Sequence, residues 1–100
     1  MLENVPPHLE ELRLNSNLID EIRGPVQENL LHLGLSYNLI SNVDSDPMQA
    51  ISTFFPNLFS LNLSFNQLEN LDTTVTQLQA LENLKILILQ GNPLSLTNNC

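Results

Sequence analysis

Apolar and polar residues alternate along this chain in four short bursts. They begin at Leu9, Leu30, Leu58 and Leu84 and read LEELRLNSNLI, LLHLGLSYNLI, LFSLNLSFNQL and LKILILQGNPL. All four obey one pattern, L-x-x-L-x-L-x-x-N-x-L with Ile allowed at the end, spanning 9–19, 30–40, 58–68 and 84–94. The apolar columns are Leu9/Leu30/Leu58/Leu84, Leu12/Leu33/Leu61/Leu87, Leu14/Leu35/Leu63/Leu89 and Ile19/Ile40/Leu68/Leu94. A period of two in Leu-x-Leu predicts a short strand with both leucines on one side. One such strand cannot bury its leucines alone, so the recurrence predicts parallel strands stacked side by side over a shared apolar interior.

The asparagine column, Asn17, Asn38, Asn66 and Asn92, follows each strand where the chain must turn. An amide both donates and accepts, so it can satisfy backbone groups that a turn leaves without ladder partners. These four are expected to be structural. The asparagines are 21, 28 and 26 residues apart, and the extra length belongs to the return segments. The first, around Arg23-Gly24-Pro25-Val26-Gln27-Glu28, is too short and broken for a helix. The second offers Asp46 as an N-cap, Pro47 at the first helical position and Pro56 as a stop. Met48, Ile51 and Phe55 there fall at helical spacing. The third predicts a helix from Asp72 or Thr73 to about Leu81, with Val75, Leu78 and Leu81 inward.

The repeated motif is that of the leucine-rich-repeat family. Together with the lead-in Leu81-Glu82-Asn83-Leu84, it resembles the cytoplasmic class with units of about 22 residues. That class includes phosphatase regulators, centrosomal proteins and axonemal proteins. The closing LILQGNPLSL is similar to the last regular repeat of several leucine-rich-repeat-containing proteins of motile cilia. The resemblance covers Leu9 to about Leu96. It implies an α/β leucine-rich-repeat solenoid of about four repeats, with short parallel strands on the concave face and helices and extended turns on the convex face. Residues 1–100 form a single segment in this reading. It has no terminal caps of its own, and is expected to be part of a longer chain.

In that fold the x positions of x-L-x-L-x point away from the leucines. Read across the strands they are Glu11/His32/Ser60/Ile86, Arg13/Gly34/Asn62/Ile88 and Asn15/Ser36/Ser64/Gln90, flanked by Ser16/Tyr37/Phe65/Gly91. This concave surface is the expected protein-binding site, with Glu11, Arg13, His32, Tyr37, Asn62, Phe65, Ile86, Ile88 and Gln90 as its candidate contacts. For Tyr37 and Phe65 two readings stand: an exposed aromatic anchor, or a pair packed on itself and the following loop. Ile86 and Ile88 replace the Ser and Asn of the preceding repeat, so a partner or a further stretch of chain is expected to cover them.

Composition narrows the partner. The formal net charge is −8, with three basic residues, Arg13, Arg23 and Lys85, too scattered to neutralise a run of phosphates. Nucleic acid is therefore not expected. No run approaches the roughly 18 apolar residues of a membrane span. A single cysteine, Cys100, excludes an intrachain disulfide and points to a reducing compartment. The acidic residues concentrate on the return segments. His8, His32 and Cys100 lack companions at metal-ligand or catalytic spacing, so neither a cofactor nor an enzyme is expected. Asn62-Leu63-Ser64 fits a glycosylation acceptor, but its mid-strand place favours a chance match. The expected function is a non-catalytic protein-interaction scaffold in the cytoplasm, such as a component of a ciliary axoneme. The alternatives are a regulatory module that binds an enzyme such as a phosphatase, and a fragment of an extracellular receptor.

Overall fold

The computed structural model describes residues 9–19, 25–41 and 51–94. Asp46, Pro47 and Met48 of the expected second helix lie outside them, as do Arg23, Gly24, His8 and Cys100. Four three-residue strands form a single parallel sheet: β1 (Glu11–Arg13), β2 (His32–Gly34), β3 (Ser60–Asn62) and β4 (Ile86–Ile88). Their order in space equals their order in sequence. The middle leucines lie in one register, Leu12 beside Leu33, Leu33 beside Leu61 and Leu61 beside Leu87.

Short strands suffice because the hydrogen-bond ladder runs past them. The N–H of Leu14 donates to Gly34 O, that of Leu35 to Asn62 O, and that of Leu63 to Ile88 O, all at 2.8–2.9 Å. Two residues later Ser16, Tyr37 and Phe65 donate to Ser36, Ser64 and Gln90 in the same way. Each interface between units thus uses the same bonds, as an identical local sequence pattern requires.

The turn after each strand is closed by the asparagine of the next unit. Asn38 Oδ1 accepts from the N–H groups of Asn17 and Ile19, Asn66 Oδ1 from Ile40, and Asn92 Oδ1 from Leu68. Their amide nitrogens donate to Leu14, Leu35 and Leu63 O of the preceding unit. They also donate to Leu35, Leu63 and Leu89 O of their own. Asn17 has no such preceding layer among the described residues; it is exposed and donates to Asn15 O.

Burial follows position in the stack. Leu33 and Leu61 are 2% and 1% exposed, while Leu87 on the outer strand is 38% exposed. Leu9, Leu12, Leu14 and Ile19 at the other end are only partly buried. Leucines gain the full 1.5–3 kcal/mol or so of burial only with a layer on both sides. On the side opposite the outward rows, Ile51, Phe55, Leu78 and Leu81 complete one apolar cluster with the inner leucines. Residues 51–54 are helical and the chain leaves the helix before Pro56.

The third return segment holds helix α1 (Leu71–Leu78), which begins earlier than the expected Asp72 or Thr73. Its N-cap is Asn70, whose Oδ1 accepts from Thr73 N–H at 2.9 Å. This start turns Thr74 inward instead of Val75, and Val75 is 45% exposed, contrary to its expected inward place. Thr74 tolerates complete burial because its hydroxyl donates to Asn70 O at 2.8 Å. Leu78 and Leu81 do face the core. No described helix is long and apolar enough to cross a membrane.

Candidate functional site

The strand face presents two polar rows that the leucine interior does not use. In the first, Glu11, His32, Ser60 and Ile86 sit side by side in register. A hydrogen bond of 2.7 Å joins His32 Nδ1 and Ser60 Oγ. The imidazole also meets the Phe59 ring edge-on, centroids 6.0 Å apart, so its plane is held from two directions. In the second row are Arg13, Gly34, Asn62 and Ile88. Glu11 and Arg13, two apart on one strand and so on one side of the sheet, form an ion pair of 2.7 Å. Both are largely in water, so the pair orients two side chains more than it stabilises the fold.

Gly34 opens a hollow between these rows. With no side chain there, a depression of about 430 Å³ forms, lined by Glu11, Arg13, Asn15, His32, Ser60, Asn62 and Ile88. A Cβ on Gly34 would come within 3.1 Å of Asn15 Oδ1. That oxygen is fixed, since it accepts from Ser36 N–H at 3.0 Å. Asn62 is likewise occupied, its Oδ1 accepting from the N–H and the hydroxyl of Ser64.

The third row differs from expectation. Ser36 and Ser64 are buried rather than presented outward. They stand where the chain already bends toward the asparagine turn, and the Asn15 and Asn62 side chains fold over their amides. Gln90, the last of that row, is exposed.

Beyond the strands the backbone adopts a left-handed conformation at the same place in every unit: φ is 62° at Ser16, 59° at Tyr37, 56° at Phe65 and 77° at Gly91. Glycine adopts it without cost, whereas bulky residues rarely do. Tyr37 and Phe65 nonetheless occupy it and stack face to face, centroids 4.6 Å apart and planes 7° apart. The Phe65 ring also lies over Gly91, where a Cβ would fall 2.3 Å from its Cδ1. Both rings stay substantially exposed, Tyr37 at 57%. The pair packs on itself, as one of the two readings has it, and both rings stay exposed.

At the last strand, Ile86 and Ile88 are 48% and 39% exposed on the outward rows. Among the described residues no group of three or more histidines, cysteines or acids is placed to hold a metal ion. The structure therefore brings together Glu11, Arg13, His32, Asn62 and Ile88 around one hollow. Ile86, next to Ser60 in register, and Gln90 do not line that hollow, and Tyr37 and Phe65 lie on the turns after the strands. Asn15, Leu33, Gly34 and Ser60 complete the hollow; a glycine within a strand was the signal in the sequence that pointed there.

No family model matches the chain. Two curated proteins do, both named Leucine-rich repeat-containing protein 43, from Homo sapiens and Mus musculus. Each is 40% identical over 97 residues, covering 93% of this chain. The chain spans only 14% of the length of either relative. A motif that recurs four times, strands that pair leucine to leucine, asparagines that bridge successive turns and similarity to these relatives agree: the chain carries leucine-rich repeats.

Proposed function

We propose that this chain is a protein-interaction module, a short leucine-rich-repeat solenoid whose strand face and adjoining loop edge hold a protein partner without catalysis. The exposure of Ile86 and Ile88 carries the reading. Both occupy rows that hold Ser60 and Asn62 one strand earlier, and neither contributes to the shared core. Apolar side chains on a rigid face beside a polar hollow are the composition of an interface centre with its rim. The surface is also pre-organised, because its positions are set by a ladder already formed without the partner. The contact set is Glu11, Arg13, His32, Tyr37, Asn62, Phe65, Ile86, Ile88 and Gln90, while Asn17, Asn38, Asn66 and Asn92 serve the turns. We place the module in a large cytoplasmic assembly such as a ciliary axoneme. That placement is supported only by the likeness of LILQGNPLSL to repeats of ciliary members.

The test is a paired capture. The chain and its Ile86→Ser/Ile88→Ser variant are immobilised at equal density after their urea midpoints have been matched. A protein retained by the first and lost by the second is the expected result. Equal retention by both sinks the strand-face reading.

A further inference from the structure

The loop edge beside the sheet carries features that the strand face does not explain. Leu18, Tyr37, Leu39 and Phe65 are all exposed there, Leu18 at 74%. Two of them are aromatic residues in a left-handed backbone that Gly91 adopts freely in the last unit and Ser16 adopts in the first. The turn therefore does not require rings. Stacking on Phe65 covers one face of Tyr37, and Phe65 in turn rests on Gly91. The opposite face of Tyr37 turns toward the first unit, where the matching position is the small Ser16. One ring face is thus left without a stacked neighbour, and exposed Leu18 and Leu39 lie on the same turns.

The chain as a whole carries a formal net charge of −8, with three basic residues. The nearest strand cation, Arg13, is already joined to Glu11. A cation over a tyrosine face is attracted by the ring quadrupole, and a planar guanidinium stacks where an ammonium cannot. We infer that the open face of Tyr37 is the seat of an arginine side chain from the partner protein, its charge matched to the net negative charge of the chain. This deepens the interaction reading above by naming the chemistry that one part of the surface takes.

Tyr37 is the single tyrosine and there is no tryptophan, so the intrinsic emission of the intact chain reports on the seat directly. The probes are three synthetic peptides with glycine spacers, carrying three arginines, three lysines or three citrullines. The arginine peptide is expected to change the tyrosine emission saturably at physiological salt. The lysine peptide should bind about three- to fivefold more weakly, the scale of one exposed cation–ring contact, and the neutral citrulline peptide weakest of all. With labelled arginine peptide, Tyr37→Ser should lose a similar factor by anisotropy. Ser16→Arg, which supplies a guanidinium from the neighbouring unit, should block the seat. Val75→Ser, at an exposed position of helix α1 outside the contact set, should bind the peptide as the unaltered chain does. Equal affinity for arginine and lysine peptides, or unchanged binding by both Tyr37→Ser and Ser16→Arg, overturns the seat and leaves diffuse attraction to a chain of net charge −8. Preferred binding of the citrulline peptide overturns it in favour of a neutral planar group. Loss of the seat alongside an intact dependence of capture on Ile86 and Ile88 removes this inference and spares the strand-face reading. The reverse pattern removes the strand face and spares the seat.

Discussion

Asn66 shows what one side chain does in this architecture. Its amide oxygen accepts from Ile40 N–H of the unit before, while its nitrogen donates to three carbonyls, Leu35, Leu63 and Ser64. Replacing it with alanine leaves the buried Ile40 N–H without a partner and weakens three carbonyls. Each abandoned buried group costs roughly 1–3 kcal/mol. We therefore expect Asn66→Ala to lose about 2–4 kcal/mol by urea denaturation, against less than about 0.5 kcal/mol for Asn17→Ala, whose exposed side chain makes a single local bond. Equal losses at the two positions would show that the bridge between units is not what matters. The need for an amide after each strand was legible in the sequence, because an amide both donates and accepts at a turn. The left-handed backbone one residue earlier was not. Serine, tyrosine and phenylalanine carry no common signal for it, and only Gly91 hints at the conformation.

At the scale of elements, the strands were legible and the helix was only partly so. Leu-x-Leu alternation sets which side chains turn inward whatever the strand length, so β1 to β4 centre on the leucines that the pattern names. Helix α1 depends on where it begins, and a shift of one residue rotates its buried side by about 100°. Asn70 caps it and the helix starts at Leu71 rather than at Asp72 or Thr73, with Thr74 inward and Val75 at the flank. Val75→Glu should accordingly change stability by no more than about 0.5 kcal/mol. Leu78→Ala should cost about 2–4 kcal/mol, the usual range for opening a cavity in a packed core. A large loss from Val75→Glu in chemical denaturation would mean the helix sits in a different rotation. The outward rows were legible by the same alternation as far as the row of Arg13, Gly34 and Asn62. Beyond these the pleat gives way to the turn, and alternation no longer tells inside from outside, as buried Ser36 and Ser64 show.

Across the whole molecule, protection should grade from the centre outward. The inner leucines Leu33, Leu35, Leu61 and Leu63 have a layer on either side, while Leu12 and Leu87 have one among the described residues. In a stack where each unit touches only its neighbours, units covered on one side open before units covered on both. Amide exchange should be slowest at Leu35 and Leu63, which donate within the ladder, and fastest in β4 and its loop. Leu61→Ala should destabilise more than Leu12→Ala by at least about 1 kcal/mol. Uniform protection across all four strands would instead indicate a single cooperative unit.

The unequal return segments have a kinetic meaning. Each strand must find a neighbour 21, 28 or 26 residues away, and closing a flexible loop grows only with the logarithm of its length. Seven added residues raise that entropy cost by about 0.3 kcal/mol. Every new strand therefore docks on the preceding one at nearly the same cost, wherever it stands in the row. Assembly can proceed as a zipper whose step does not lengthen with the chain. Insertions on the back of any unit should then alter the rate of folding very little, provided they leave the leucine register intact.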